Sequence, residues 1–255
     1  MKRPLKIILR TAGIALLLAA FVLLGLLSRR ARRERTCEGV QVEFSDDFNF
    51  VTEEDIKGYI DRYAGNYLGR RLDSLDLNGI ENMLDQQSAV LKSEVYSGGD
   101  GKMHVVVSQR EPVLRFQSPE SGFYIDDRGF IFPLQDNYTS LVPVIDGNIP
   151  IHVSPNYKGE AKTEKEAAWI RGVQEMVEYM QSNAIWAENI VQIHVDENSD
   201  ILLIPREGEE TFIFGSPDDI PAKFSRIEKY YQYIQPGEKK YTSVNVKYKG
   251  QIICK

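Results

Sequence analysis

The stretch FVTEEDIKGYIDRYAG, residues 50–65, decides how the first half of the chain is read. Thr52 is an N-cap residue three positions before Asp55, so the two side chains can close a reciprocal cap, and Val51 can staple against Ile56. Ile56, Tyr59, Ile60 and Tyr63 then recur at helical spacing as one apolar stripe, and Gly65 supplies the stop. Upstream, VQVEF (Val40–Phe44) alternates apolar and polar residues as a half-buried strand does. Downstream, a shorter helix fits Leu77 to Gln87 with Leu77, Ile80, Met83 and Leu84 inward. LKSEVYS and KMHVVVSQ read as two strands joined by the turn sequence GGDG. The resulting order is strand, helix, helix, strand, strand.

The pattern changes at Arg110-Glu111-Pro112, because a proline cannot donate to a central ladder and so marks a boundary or an edge. Beyond it, FYID and FIF flank an Asp127-Arg128-Gly129 turn and predict a hairpin. A long amphipathic helix follows from Glu164 to about Gln181, capped by Thr163 with Glu166 at the third position, and buries Trp169, Val173, Met176, Val177 and Met180. VQIHV, ILLI and TFIF supply three more strands. Ser216-Pro217-Asp218-Asp219 opens another helix, with Phe224, Ile227, Tyr231 and Ile234 as its buried face. The chain closes on TSVNVKYKGQIICK, a hairpin about Lys249-Gly250. The fold class is α+β: a βααββ domain, then a mixed α/β domain with a mainly antiparallel sheet, which the resemblance given below implies ends in an open edge strand.

Ahead of both domains, the apolar stretch Ile7 to Leu27 reaches about 31 Å as a helix, the hydrocarbon thickness of a bilayer. It lacks a small-x-small cleavage site, which favours an uncleaved span over a signal peptide. Lys2, Arg3, Lys6 and Arg10 precede it and Arg29, Arg30, Arg32, Arg33 and Arg35 follow, so positive residues give no orientation. Nine of the 31 basic and one of the 37 acidic residues precede Thr36, which leaves 22 against 36 and a net charge near −14 for residues 36–255. Such a surface is unsuited to nucleic acid. The basic collar suits anionic lipid head groups instead.

Motifs for catalysis are missing: there is no G-x-S-x-G, Walker loop, G-x-G-x-x-G or H-E-x-x-H, and His104, His152 and His194 lie far apart in sequence. DENSDILLIPRE places Asp196, Asn198, Asp200 and Glu207 at calcium-loop positions, but Ile201 stands where that loop requires glycine, so a polar hairpin turn is the better reading. No cofactor, metal or catalytic residue is assigned. Cys37 and Cys254 are the two cysteines, and a bridge between them would need Cα atoms within about 7 Å.

An N-terminal span followed by a βααββ unit resembles a membrane-tethered POTRA domain, a small interaction module. Val51-Thr52-Glu53-Glu54-Asp55-Ile56, the QREPV segment around Arg110 and Pro112, FYIDDRGFIFPL, Val142-Pro143-Val144-Ile145-Asp146-Gly147 and the closing KYKGQIIC occur in the order seen in the bacterial cell-division FtsQ/DivIB family, most like its Bacteroidetes branch. The resemblance covers nearly the whole chain. It implies a cytoplasmic tail (1–6), an inner-membrane helix (7–27), a basic linker (28–38), a POTRA domain (39–111) and a β domain (112–255), the last two in the periplasm at the division septum. Family members are elongated, which implies that Cys37 and Cys254 lie far apart. No catalysis is implied.

In that family a strand from the small coiled-coil protein FtsB/DivIC, which acts with FtsL, adds to the last strand of the β domain. Carried over residue by residue, the resemblance assigns partner binding to Lys247, Tyr248, Gly250, Gln251, Ile252, Ile253 and Cys254, with Gln251 to Cys254 as the edge. The turn is one residue shorter than in better-known members, which leaves the register of the added strand open. Two other classes remain: a chaperone-like POTRA module of outer-membrane protein assembly or secretion, and a membrane-tethered envelope hydrolase. The first usually carries several POTRA repeats or a barrel, and the second needs a nucleophile or metal constellation that is not found here.

Overall fold

The computed structural model describes residue 13 and residues 16–24, 35–118, 122–237 and 239–255. Most of the expected span at 7–27, the tail before it and the basic linker up to residue 34 lie outside the described residues. Residues 16–24 are helical with exposed side chains, among them Leu17 and Phe21. Among the described residues no helix is long and apolar enough to cross a membrane. The remainder forms two units: residues 51–109 with the chain up to Asp47, and residues 110–255 with Phe48–Phe50.

The first unit has the order β1 (Gly39–Phe44), α1 (Glu53–Ala64), α2 (Leu77–Asp85), β2 (Val90–Ser97) and β3 (Lys102–Gln109). Its sheet runs β1-β3-β2, with β1 parallel and β2 antiparallel to β3. The reciprocal cap forms as the spacing requires: Asp55 N donates to Thr52 Oγ1 at 3.2 Å and Thr52 N to Asp55 Oδ2 at 2.9 Å. Ile56 and Ile60 are fully buried, whereas Tyr63, at the end of the stripe, is half exposed. Helix α2 starts at an Asp76 cap and buries Ile80 and Leu84, and Val95 of β2 and Met103, Val105 and Val107 of β3 are buried as well.

The second unit is built on a nine-stranded mixed sheet in the order β12-β11-β10-β9-β8-β7-β4-β5-β6. Its strands are β4 (Pro112–Gln117), β5 (Gly122–Asp126), β6 (Ile131–Pro133), β7 (Val144–Gly147), β8 (Ile190–Val195), β9 (Ile201–Pro205), β10 (Thr211–Gly215), β11 (Ser243–Asn245) and β12 (Ile253–Cys254). Pro112 is the first residue of its strand, a position where the missing N–H costs least. The cross-strand register aligns Phe123, Phe116, Ile145, Ile193, Leu203, Phe212, Val244 and Cys254 in one row. All but Cys254 are buried.

Helices α3 (Glu164–Gln181), α4 (Ala184–Asn189) and α5 (Ile220–Lys229) contribute Ile170, Val173, Met176, Val177, Met180, Trp186, Phe224 and Ile227 to the same core. Trp169, expected inside, is half-buried and packs its ring 5.6 Å from that of Phe116. Helix α5 begins at Ile220, with Pro221 in its first turn and Asp219 before it at φ +47°. The YYQYI segment is a π-helical turn that buries Tyr230 and leaves Tyr233 78% exposed. At the calcium-like loop Asp196 Oδ1 accepts from Asn198 N and Asp200 N at 2.8 and 2.9 Å, a hairpin turn between β8 and β9. Cys37 is buried and Cys254 half-buried, both as free thiols.

Candidate functional site, the C-terminal sheet edge

Strand β12 stands at one end of the nine-stranded sheet and pairs only with β11 among the described residues. Hydrogen-bond parity then fixes which backbone groups face outward. Ser243 and Lys255 exchange both bonds, at 3.2 and 2.9 Å, so the amide groups of Lys255 point at β11. In an antiparallel pair these directions alternate, so the N–H and C=O of Cys254 point away from the sheet and those of Ile253 point toward Asn245. Ile252 precedes the ladder, and the same alternation continued one residue back would turn it outward. Side chains alternate too: Ile252 and Cys254 pack against the core beneath the helices, while Ile253 is 39% exposed on the opposite face.

The ladder is shorter than the expected Gln251 to Cys254. Gln251 N donates back to Tyr248 O at 3.2 Å and closes the turn, so pairing with β11 starts only at Ile253. Gly250 sits at φ +71° with open space around it, the conformation that the Lys249-Gly250 turn requires of a glycine.

The base of this loop is fixed by two side chains that sequence reading did not assign to the site, Arg226 and Asp200. Val246 N donates to Ile213 O at 3.0 Å, and its carbonyl accepts from Arg226 Nε at 2.8 Å. Lys247 Nζ lies 2.6 Å from Asp200 Oδ2 and 5.3 Å from the centroid of the Tyr248 ring. The hydrogen bond that Lys247 donates to Asp200 is the leading cause that holds the Lys247 pKa above its ordinary value. Burial pushes the Cys254 thiol up. Tyr248 is 49% exposed beside this edge. Asp200 and Arg226 lie 47 and 20 positions from their partners, so no local signal in the sequence marks them.

The β2 edge of the first unit differs in kind. In β2 the outward N–H groups of Ser93 and Val95 are already taken, by Asp85 Oδ1 at 2.6 Å and Glu81 Oε2 at 3.1 Å from α2. Carboxylates here occupy the positions that an added strand would need.

Residues 111–255 match the family described as FtsQ/DivIB, C-terminal related, and residues 35–108 match the POTRA-like domain. No curated protein matches the chain.

Proposed function

The chain belongs to the FtsQ/DivIB family of cell-division proteins and carries a POTRA domain, and from that premise we propose that it is a non-enzymatic scaffold of the division machinery. In this reading it is anchored by residues 7–27 in the inner membrane, with residues 1–6 in the cytoplasm and the rest in the periplasm at the septum. It binds an FtsB/DivIC-like partner, and through it an FtsL-like one, by strand addition to β12. The basic collar at residues 28–38 lies against anionic lipid.

The supporting observation is the outward direction of the Cys254 backbone at the open end of the sheet. An added strand would satisfy those groups, and its side chains would flank Ile252, Ile253 and Cys254 on alternate faces, with Tyr248, Gly250 and Gln251 at the turn. Up to four backbone hydrogen bonds from Ile252 and Cys254, at about 0.5–1.5 kcal/mol net each, give only a few kcal/mol. Apolar contacts and shared anchoring in one membrane, which raises the effective concentration, supply the rest. The chaperone-like alternative draws less support, because two donors on the β2 edge of the POTRA unit, the N–H groups of Ser93 and Val95, are already bonded to Asp85 and Glu81.

Depletion of the protein, with cells watched by microscopy, tests the role. Filaments with unfinished septa are expected, and cells of normal length that complete division would contradict it. Tyr248→Ala should lower recovery of the FtsB/DivIC-like partner while the purified chain keeps its melting temperature.

A further inference from the structure

Lys247 occupies a position that the family resemblance assigns to partner contact, yet its ammonium already has an acid. Asp200 lies 2.6 Å away, and the two side chains are only 29% and 20% exposed. Several local features aim them at each other. Lys247 N donates to Asn245 Oδ1 at 3.0 Å, which bends the chain out of β11. Gly215, at φ +80°, lets the lysine pass over the end of β10, where a Cβ would fall 2.7 Å from Lys247 Cβ. On the other side, the β8–β9 turn holds Asp200 through its N–H to Asp196 Oδ1 at 2.9 Å and its carbonyl to Asp196 N at 3.0 Å. The lysine Nζ then rests 5.3 Å from the Tyr248 ring centroid.

We propose that Asp200 and Lys247 form an internal brace that positions Tyr248 and the turn before β12, and that the partner meets Tyr248 and the edge backbone while Lys247 stays with Asp200. The inference rests on the strand-addition reading above. To meet an acid on a partner, the ammonium would have to leave a partly desolvated Asp200 carboxylate unpaired, and one carboxylate would merely replace another. Left in place, the cation fixes the tyrosine ring through its π face. A turn ordered before binding loses less conformational entropy when the strand arrives. The partner residue beside Tyr248 is therefore apolar or aromatic in character, not acidic, and the affinity changes little with salt.

The test uses the full chain in detergent and its purified FtsB/DivIC-like partner, with affinity measured by calorimetry at low and high salt. Thermal denaturation and the Tyr248 ring proton resonances are recorded alongside. Asp200→Asn and Lys247→Met should each weaken binding on the order of tenfold, about 1.4 kcal/mol, and shift the Tyr248 resonances, with melting temperatures close to the parent's. The exchange Asp200→Lys with Lys247→Asp should restore most of the affinity. If the exchanged chain does not fold, Asp200→Glu replaces it and should bind like the parent.

Parent-like binding by Asp200→Asn combined with a loss in Lys247→Met would overturn the brace, because Lys247 would then meet the partner itself. So would a folded exchange variant that stays weak, or full affinity in both single variants. Ile252→Pro separates the two claims: parent-like binding there removes strand addition, while unshifted Tyr248 resonances in Asp200→Asn remove the brace.

Discussion

The backbone N–H of Ser93 donates to Asp85 Oδ1 at 2.6 Å, and the Ser93 hydroxyl donates to the same oxygen at 2.8 Å. One carboxylate on α2 thus closes part of the β2 edge of the first unit. Asp85→Ala leaves both donors without that acceptor, at a cost of about 1–3 kcal/mol. Chemical denaturation should show that loss, and light scattering at raised concentration should show more self-association, since the edge then resembles an uncapped strand.

Arg226 is 8% exposed, and its Nε holds the carbonyl of Val246, a residue with no exposed surface. Arg226→Met keeps most of the stem and removes the donor. The second unit should lose about 1–3 kcal/mol, because a buried carbonyl is left unpaired. Amide exchange in the Val246 to Gly250 loop should speed up in the variant, which separates loss of this bond from a general loss of stability.

Glu166 is 6% exposed and closes the cap of α3 with Thr163. The His152 N–H, at 2.9 Å, is the largest influence holding its carboxyl below the ordinary range; burial opposes it, and the His152 and Thr163 side chains add to it. A folded-state pKa below the unfolded value, near 4.3, means that the charged form stabilises the fold. That contribution is complete above the unfolded value and is lost as pH falls through the folded one. Urea midpoints at pH 7 and pH 3 should therefore differ less in Glu166→Gln than in the parent.

Legibility followed range. The capping pairs Thr52 with Asp55 and Thr163 with Glu166 act over three residues, and both are visible in the sequence and present in the fold. The βααββ order was equally plain, because each element announces its own period. Pairing was not: nothing local says that β1 runs parallel to β3, or that β11 reaches β10 in parallel after α5. The glycine turn at Gly250 was readable from its residue type, but the return of the Gln251 N–H to Tyr248 O, which shortens the ladder, depends on how Val246 and Lys247 are held. Likewise Asp200 read as one polar residue in a turn, since its role arises only when the sheet brings Lys247 beside it.

Amide hydrogen exchange along β12, measured with and without the proposed FtsB/DivIC-like partner, tests strand addition most directly. The parity of the sheet predicts that the outward amides of Ile252 and Cys254 become protected in the complex, while those of Ile253 and Lys255, already directed at β11, change little. A complex that forms with Ile252 and Cys254 exchanging as fast as in the free chain would contradict it.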